Sequence, residues 1–387
     1  MSTVTSVKQR QNPRVEKRIN PGYQILLYDS DNGYPQRTTR ILEASPTGVA
    51  CRNLFAKFVK GQGFEDQGFM NATINFRKQK VWQLLNQLSK DFANHGYFSL
   101  HLNYNLNYEI VSMTRINPEF VRLGTPDSYG FSPKVGVWPH WYEINREFPS
   151  KQDPDYINVF NPDPYAIQAQ IEVAGGVGKY RGQVYTFWGD AQEYPEAIYD
   201  SVLNDLIVDS KFSEKNLGDL QNGFSAGQVF VFPEKLEDED RNKKLAHLQQ
   251  VQGTNGRRIF LIDGVGVDGL KIEQVAHNFS DTQFQFTEVS TRGRIMRAWG
   301  QIPILHGEDR GNTLSSDGKA LENAYRFYNQ FTQNDRAAVE NAFKTLIPHF
   351  WNPINPSEDY SIKPLQFLEE ETNDNNNTMD NPSGLPQ

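Results

Sequence analysis

The sequence predicts an α+β fold in which helices pack on a small antiparallel sheet. Three features of the chain point to this class. Apolar residues recur at threes and fours in several long segments, which is helical spacing. Short runs rich in β-branched and aromatic residues, separated by Gly and Pro, fill most of the region from 96 to 190. A compact strand–helix–strand insert, 225–268, then interrupts a pair of helices, 195–222 and 281–299.

The first half of the chain supplies two helices and most of the sheet. Ser45, Pro46 and Thr47 form a helix start signal within the segment 40–60. A second helix is predicted over 76–94. Strands are predicted in HGYFSLHLNYN, NYEIVSMTRI and PEFVRLG, and the Pro- and Gly-rich region that follows, up to residue 190, is predicted to continue the β structure.

The second half is predicted to be mainly helical around the insert. Within the insert, AGQVFVFP and RRIFLIDG are predicted strands, and the charged segment EKLEDEDRNKKLAHLQQVQG is a predicted helix. A Pro/Gly loop, QIPILHGEDRGNTLSS, follows the helix 281–299. One long helix should then run from near Asp317 and end or kink near Pro348. SIKPLQFL is strand-like, and the polar, acidic tail from Glu369 predicts disorder.

Composition and charge narrow the class of protein. Hydrophobic residues make up 37% and charged residues 22%, proportions typical of a globular chain. The net charge is -8, so no overall positive field predicts tight binding of nucleic acid. The single cysteine, Cys51, excludes an internal disulfide framework and fits a reducing compartment. The N-terminal segment lacks the apolar core of a signal peptide, and no apolar run is long enough to span a bilayer, so no membrane contact is expected.

Two glycine-rich segments imitate nucleotide-binding motifs. Gly264, Gly266 and Gly269 satisfy GxGxxG, but the residues that follow alternate as in a strand, where a dinucleotide site needs a helix. We therefore predict a hairpin turn there. Gly178 and Lys179 resemble the end of a phosphate-binding loop, but no Ser or Thr follows to hold magnesium. The scattered histidines and lone cysteine form no zinc pattern, so neither a metal nor a cofactor is expected.

Two groups of cationic side chains stand out. The first lies on the helix 281–299 and the loop after it, and consists of Arg292, Arg294, Arg297 and Arg310, with His306 nearby. The second lies in the insert and consists of Lys243, Lys244, Arg257 and Arg258. One interpretation is ordinary surface charge paired with carboxylates. The other is a sparse set of contacts to phosphate groups or to a neighbouring subunit, which would hold DNA by charge without reading its bases.

Four stretches of the chain resemble segments of tailed-phage portal proteins, of the short type found with HK97-like capsids. SPTGVACRNLFAKFVKGQGF looks like the early helix of that family, and DFANHGYFSLHLNYN with INPEFVRLG looks like the strand region after it. The two more specific stretches are SKFSEKNLGDLQNGFSAGQVFVFPE and RIMRAWGQIPILHG. The resemblance covers about residues 40–350. The chain departs from the family pattern at His95–Gly96, which stands for Gly-Asn, and at Gln301–Ile302, where Val usually precedes the proline directly.

The resemblance implies a portal fold, with an α/β wing, a two-helix stem, a small αβ clip insert, a tunnel loop and a long wing helix. The ranges that it implies are 1–20 for a flexible N-terminal arm, 21–190 for the first part of the wing, 191–224 for the first stem helix, 225–268 for the clip, 269–300 for the rest of the stem, 301–314 for the tunnel loop, 315–368 for the second part of the wing with a minimal crown, and 369–387 for a disordered tail.

The resemblance also implies a function and partners. Portal proteins form rings, usually of twelve subunits, at one vertex of the capsid, and double-stranded DNA passes through them during packaging and ejection. Assembly in the host cytoplasm and contacts with the major capsid protein, the terminase large subunit and then the head–tail adaptor are implied. The ring itself is not an enzyme, because the ATPase motor is a separate protein. The residues that would face DNA are His306, Arg310, Arg292, Arg294 and Arg297, and those that would contact the adaptor or terminase are Lys243, Lys244, Arg257 and Arg258.

Two other functions stay open at the level of sequence. One is another structural protein of the phage head, such as a minor head or head-completion protein, although an insert between two helices argues against it. The other is an enzyme, perhaps one that binds a nucleotide through Gly264, Gly266 and Gly269. A Ser/His/Asp triad also stays open, because its members can occur in any order along a chain. No G-x-S-x-G segment marks a nucleophile.

Overall fold

The structure is a computed structural model, and it describes residues 18–141, 153–189, 193–221, 227–252, 258–264, 266, 271–274, 281–308 and 319–366. Its helices are α1 (Tyr34–Ala44), α2 (Pro46–Lys60), α3 (Gln67–Asn71), α4 (Val81–His95), α5 (Pro164–Ala174), α6 (Leu203–Gln221), α7 (Asp238–Gln252), α8 (Asp281–Ala298), α9 (Lys319–Phe331) and α10 (Gln333–Leu346). Its strands are β1 (Ile19–Asn20), β2 (Ile25–Leu26), β3 (Gly63–Phe64), β4 (Phe98–Tyr104), β5 (Ile110–Ile116), β6 (Val121–Leu123), β7 (Lys134–Val137), β8 (Asp155–Val159), β9 (Gln183–Phe187), β10 (Gly227–Phe232), β11 (Arg258–Asp263), β12 (Lys271–Gln274) and β13 (Ile362–Lys363).

The largest sheet has the strand order β5-β4-β9-β8-β7-β6. All of its neighbouring strands are antiparallel except β8 and β9, which are parallel. A parallel pair cannot be joined by a tight turn, and α5 supplies the crossover between these two strands. The prediction of continuous β structure up to residue 190 is therefore wrong at α5. Asp163 caps this helix by accepting a hydrogen bond from the Tyr165 N–H at 3.0 Å, and Gly175 ends it.

The main core lies between this sheet and the helices around it. Its fully buried side chains include Phe55 of α2, Leu84 of α4, Leu100 of β4, Trp299 after α8 and Phe343 of α10. Residues from both halves of the chain therefore share one core. The helices that follow the insert return to pack on the helices that precede it.

Asp209 on α6 ties that helix to the start of α2. Its buried carboxylate accepts hydrogen bonds from Ser45 Oγ at 2.6 Å, from Thr47 Oγ1 at 2.9 Å and from the Thr47 N–H at 3.1 Å. Ser45 Oγ in turn accepts one from the Gly48 N–H at 3.0 Å, so the predicted helix start at Ser45 is confirmed. The carboxylate also faces the positive end of the α2 dipole, which stabilises it there.

The helix α6 begins later than the sequence pattern suggested. Residues 195–199 are not helical, and a short 3-10 turn, Asp200–Val202, leads into α6. The hydroxyl of Tyr34 accepts a hydrogen bond from the Ala197 N–H at 3.0 Å and donates one to Asp200 Oδ1 at 2.6 Å. This segment is therefore held on α1, a helix that the sequence analysis did not predict.

The predicted insert forms a small sheet with one helix, carried between α6 and α8. In this sheet β10 is central, β11 pairs with it in parallel and β12 pairs with it in antiparallel register. The prediction of a hairpin turn at the GxGxxG segment is therefore wrong, because β11 and β12 lie on opposite sides of β10. The next described element after these glycines is a strand and not a helix, so the segment lacks the context of a dinucleotide site. The sheet also extends the insert to Gln274, past the predicted boundary at 268.

The single long helix predicted from near Asp317 is two helices, α9 and α10. They meet at Thr332, whose hydroxyl donates a hydrogen bond to the Tyr328 carbonyl at 2.9 Å. Nearby, the guanidinium of Arg336 donates to the carbonyls of Asn329 and Phe58, both at 2.9 Å. The break between the two helices coincides with these side-chain bonds to the main chain. The predicted end near Pro348 is confirmed, because α10 stops at Leu346 and a 3-10 turn follows.

Candidate functional site

The base of the predicted tunnel loop is the segment 300–308, directly after α8. Its 3-10 turn, Pro303–His306, ends at Gly307 in the left-handed conformation. At Gly300 the chain turns with φ of +63°, and a Cβ atom there would lie 2.4 Å from Cζ of Phe331 on α9. Only glycine fits this turn without strain. The chain that leaves α8 therefore lies in close contact with α9, the helix that follows the loop.

The side chain of Gln301 holds this base together. It is 3% exposed, and its Nε2 donates hydrogen bonds to the Cys51 carbonyl and to the Tyr328 hydroxyl, both at 2.8 Å. Its Oε1 lies 2.7 Å from Nε2 of His306. The Tyr328 hydroxyl donates to the Trp299 carbonyl at 2.9 Å. One amide group thus links α2, the end of α8, the 3-10 turn and α9.

His306 is half-buried in this network and not free at the tip of the loop. Because Gln301 Oε1 can only accept, Nε2 of His306 carries the proton. Burial lowers the pKa of this histidine, and the charge of Glu308 opposes that effect. The ring is therefore neutral near pH 7, and at this position it supplies a hydrogen bond. Arg310, the other residue predicted for this loop, lies outside the described residues.

Cys51 and His306 are neighbours but do not form a nucleophilic pair. Cys51 Sγ lies 3.8 Å from His306 Nε2, the atom that donates to Gln301. Burial raises the pKa of the Cys51 thiol to about 12, with smaller contributions from the charges of Asp209 and Glu308. A nucleophilic cysteine needs a lowered pKa and partial exposure. The pair is therefore part of the packing of the loop base.

The three arginines of α8 have separate partners. Arg294 contacts Asp205 of α6 at 2.7 Å, and Arg292 contacts Glu288 one turn earlier at 2.7 Å. Nε of Arg297 donates to the Gly293 carbonyl at 2.9 Å. Because successive residues are about 100° apart around a helix, Arg294 and Arg297 share a side and Arg292 does not.

An aromatic contact also joins α6 and α8. Phe212 of α6 and Phe284 of α8 pack edge to face, with ring centroids 4.7 Å apart.

The cations predicted in the insert also differ in their surroundings. Lys243 contacts Glu239 one turn earlier at 2.8 Å on the exposed side of α7. Nζ of Lys244 lies 4.5 Å from the ring centroid of Phe232, in cation–π geometry. Arg258 is the first residue of β11. Arg257 lies outside the described residues.

The sequence analysis missed a third group of cations, which lies beside the loop base. Lys57 and Lys60 on α2, and Lys90 on α4, line a cleft of about 400 Å³ that reaches Leu305 and His306 of the loop base. A signal was present in the sequence, because α2 contains no acidic residue and α4 contains only Asp91. It also missed Gln301 as a structural centre, although the departure from the portal pattern fell at this residue.

Within the described parts of the chain, no three His, Cys, Asp or Glu residues lie close enough together to hold a metal ion. None of the helices in those parts combines the length and apolar character needed to cross a membrane.

Comparison with known proteins gives similarity in structure and not in sequence. No protein-family model and no curated protein sequence matches the chain. A chain in the neck of an empty gene transfer agent (GTA) particle, solved with C6 symmetry, superposes with a TM-score of 0.52 and 13% sequence identity, over 87% of this chain and 85% of that one. A chain in the virion of a native GTA particle gives a TM-score of 0.48 and 14% identity, over 76% of this chain and 75% of that one. An HK97-family phage portal protein from Corynebacterium diphtheriae gives a TM-score of 0.41 and 12% identity, over 71% of this chain and 81% of that one.

The GTA neck chain is the comparison that carries weight for the fold. It covers 87% of this chain and 85% of the other, so the agreement extends well beyond one local motif. With 13% sequence identity, this comparison shows a shared fold and not a shared function. The α+β fold predicted from the sequence is therefore confirmed, and the chain shares its fold with a chain of the GTA particle neck.

Proposed function

We propose that this chain is a phage portal protein, a ring-forming structural protein that conducts DNA at one vertex of the capsid. The observation that carries the proposal is the arrangement around α6 and α8. This helix pair carries a small three-stranded module between its helices, and α8 then runs into a loop whose base is fixed in the core by Gln301. The portal-like sequence motifs and the fold shared with the GTA neck chain support the same proposal.

The parts of the chain take the following roles under this proposal. The shared core around the six-stranded sheet is the wing, with residues on both sides of the insert. The helices α6 and α8 are the stem, residues 227–274 are the clip, and 301–314 is the tunnel loop. As in portal rings generally, the stem would line the channel, and the clip would bind terminase during packaging and the head–tail adaptor afterwards. The wing would contact the major capsid protein.

The proposed contact residues have distinct tasks. Arg310 would meet DNA from the tunnel loop, while His306 fixes the base of that loop. Arg297 would be the stem cation most available to phosphate groups, since Arg292 and Arg294 form ion pairs with carboxylates. In the clip, Lys243, Lys244, Arg257 and Arg258 would contact the adaptor or terminase. Compensated charge suits a channel, because each phosphate contact strengthens binding and slows sliding.

Imaging of the purified full-length chain tests the proposal. We expect closed rings with a central channel in negative-stain micrographs, usually of twelve subunits, and a native mass that is a whole multiple of 44.3 kDa. Arg310→Ala should leave the rings intact and change DNA packaging or retention. A strictly monomeric chain, at every protein concentration and salt concentration tried and also in the presence of capsid proteins, would contradict the proposal.

A competing function is another protein of the same neck, such as a head-completion adaptor. Rings alone do not separate the two, because adaptors also form rings. The position of the ring does, since a portal occupies the capsid vertex itself and an adaptor binds on the tail side of the portal. If the chain is the portal, labelled residues 227–274 should lie at the junction between the capsid vertex and the adaptor in assembled particles.

A further inference from the structure

The cleft between α2 and α4 is the strongest feature that the proposed function leaves unexplained. It measures about 400 Å³, and Leu305 and His306 of the loop base are among the residues that line it. Three lysines line it, two from α2 and one from α4, together with the amide side chains of Asn53 and Asn86. Nζ of Lys60 donates a hydrogen bond across the cleft to Asn86 Oδ1 at 3.3 Å.

The positive charge of this cleft is not compensated by its own helices. The residues four positions before and after Lys90 are Asn86 and Asn94, so no ion pair of the common helical type is available to it. The one carboxylate of α4, Asp91, is bound by Arg115 at 2.6 Å. Among the ion pairs of the described residues, none includes Lys57, Lys60 or Lys90.

Interaction with helix dipoles stabilises only two of the three lysine charges in the cleft. Lys57 and Lys60 lie in the last turn of α2, where a cation interacts favourably with the helix dipole. Lys90 lies well inside α4 and gains nothing comparable. Burial, and then the charges of Lys57 and Lys90, lower the pKa of Lys60, so both of these ammonium groups lie close enough to repel the charge of Lys60. A bound anion would relieve this repulsion.

The lining of the cleft restricts the chemistry of that anion. It contains no carboxylate, so it offers no ligand for the magnesium of a nucleotide. It contains no Phe, Tyr or Trp on which a base could stack, and its one imidazole, His306, is held by Gln301. What it offers is positive charge and amide groups, which suit the phosphates of a nucleic-acid backbone.

We infer that the cleft formed by Lys57, Lys60 and Lys90 binds phosphate groups of the DNA backbone, outside the channel loop itself. The inference rests on the proposed function for the presence of DNA. The cleft touches the loop base at Leu305 and His306, so DNA held there would lie beside the element proposed to contact DNA in transit. An acidic segment of a neighbouring copy is the other occupant, and the experiment separates the two.

The test measures DNA affinity of the assembled full-length protein. The variant K57Q/K60Q/K90Q is compared with wild type by fluorescence anisotropy, using a short labelled duplex over a series of salt concentrations. We expect at least about tenfold weaker binding at low salt. The slope of log affinity against log salt should fall by about 3, roughly one for each lysine. The variant K57R/K60R/K90R, which keeps the charge, should bind like wild type.

A matched control removes the same charge elsewhere. K78Q/K134Q/K179Q neutralises three exposed lysines that do not line the cleft, and it should change affinity much less. Equal losses in both triple variants would overturn the inference, because total charge would then explain the result. Unchanged affinity in K57Q/K60Q/K90Q rings would overturn it as well.

Assembly separates this inference from the proposed function. Failure of wild type to form rings contradicts the portal proposal, whatever its affinity for DNA. If wild type forms rings and K57Q/K60Q/K90Q is folded but monomeric, the cleft holds a neighbouring subunit and the inference is wrong. If the triple variant does not fold, K90Q alone is measured, and a salt slope equal to that of wild type then overturns the inference.

Discussion

Replacing Gln301 by alanine should loosen the base of the proposed tunnel loop without unfolding the main core. Its amide makes three hydrogen bonds inside the protein, to the Cys51 carbonyl, the Tyr328 hydroxyl and the His306 ring. A buried polar group left without a partner costs about 1–3 kcal/mol. Tyr328 keeps its bond to the Trp299 carbonyl, so the loss falls mainly on Cys51 and His306.

The size of the effect follows from these bonds. We expect the free energy of opening the loop base to fall by about 2 kcal/mol, which raises the open population about 30-fold. Four backbone amides of residues 301–308 report this opening, because their N–H groups donate to carbonyls within this segment or at the end of α8. The bonds run from Gln301 to the Met296 carbonyl at 2.9 Å, and from Leu305 to Ile302, Gly307 to Ile304 and Glu308 to Pro303, each at 3.1 Å.

Hydrogen–deuterium exchange measures this opening directly. In Gln301→Ala, exchange over residues 301–308 should accelerate about 30-fold, while exchange in α2 and α4 stays close to wild type. Gln87→Ala is the control, since Gln87 Oε1 accepts a comparable bond from Gln79 at 2.8 Å on the surface. Unchanged exchange over 301–308 in Gln301→Ala would refute the reasoning. So would equal acceleration throughout the core, because the Gln301 amide would then stabilise the whole core and not the loop base in particular.

Three further predictions concern stability and reactivity. Asp209→Ala should lower the free energy of unfolding, measured by chemical denaturation, by about 2–3 kcal/mol, and Asp209→Asn should lower it by less. The reason is that the Asp209 carboxylate accepts three hydrogen bonds at the start of α2. Equal stability of Asp209→Ala and wild type would contradict this. Burial, with the charges of Arg115 and Arg122, lowers the pKa of His95 to about 3, so the unfolded chain binds this proton first as pH falls. Stability should therefore decline below about pH 6.5 and lose about 2 kcal/mol by pH 5, and His95→Gln should flatten that decline. Cys51 should resist alkylation in the native protein at pH 8 and react promptly in denaturant, because burial raises its pKa to about 12; prompt reaction of the native thiol would contradict the structure.

Features set by local chemistry could be read from the sequence. The start of α2 followed from Ser45 and Pro46, because both the cap and the fixed proline φ act within one turn. The end of α10 followed from Pro348 for the same reason. The strands β4, β5 and β6 followed from β-branched and aromatic runs. Each of these signals requires only a few neighbouring residues.

Features set by distant parts of the chain could not be read in this way. The pairing of β12 with β10 depends on which strand is central in the sheet, and the glycines between β11 and β12 do not reveal it. The helix α5 is an intermediate case. Asp163 and Pro164 are a local start signal, but the surrounding Pro- and Gly-rich segments favoured a β interpretation. Its necessity becomes clear only from the parallel pairing of β8 and β9.

In the candidate site, too, the sequence predicted the residue types but not the contacts between distant parts of the chain. Residue types predicted cations on α8, and the structure has them there, but the partner of Arg294 is Asp205, 89 positions earlier in the chain. Gln301 binds a carbonyl 250 positions away and a hydroxyl 27 positions away. Sequence spacing carries no information about such bonds. An unusual residue within an otherwise familiar motif was the available signal, and it marked the residue that holds the loop.

Some cations of this chain are paired with carboxylates and others are not, and this difference explains how DNA could slide along one surface and be held at another. A chain with net charge -8 repels DNA at long range, so binding depends on local cations without carboxylate partners. On α8, Arg292 and Arg294 are compensated, which suits a surface past which DNA must slide. The lysines of the cleft between α2 and α4 lack such compensation among the described residues, which suits a surface where DNA is held. If the chain forms the proposed ring, weak binding along α6 and α8 and stronger binding beside the loop base can coexist in it, because phosphate affinity rises steeply with the number of unpaired cations at each place.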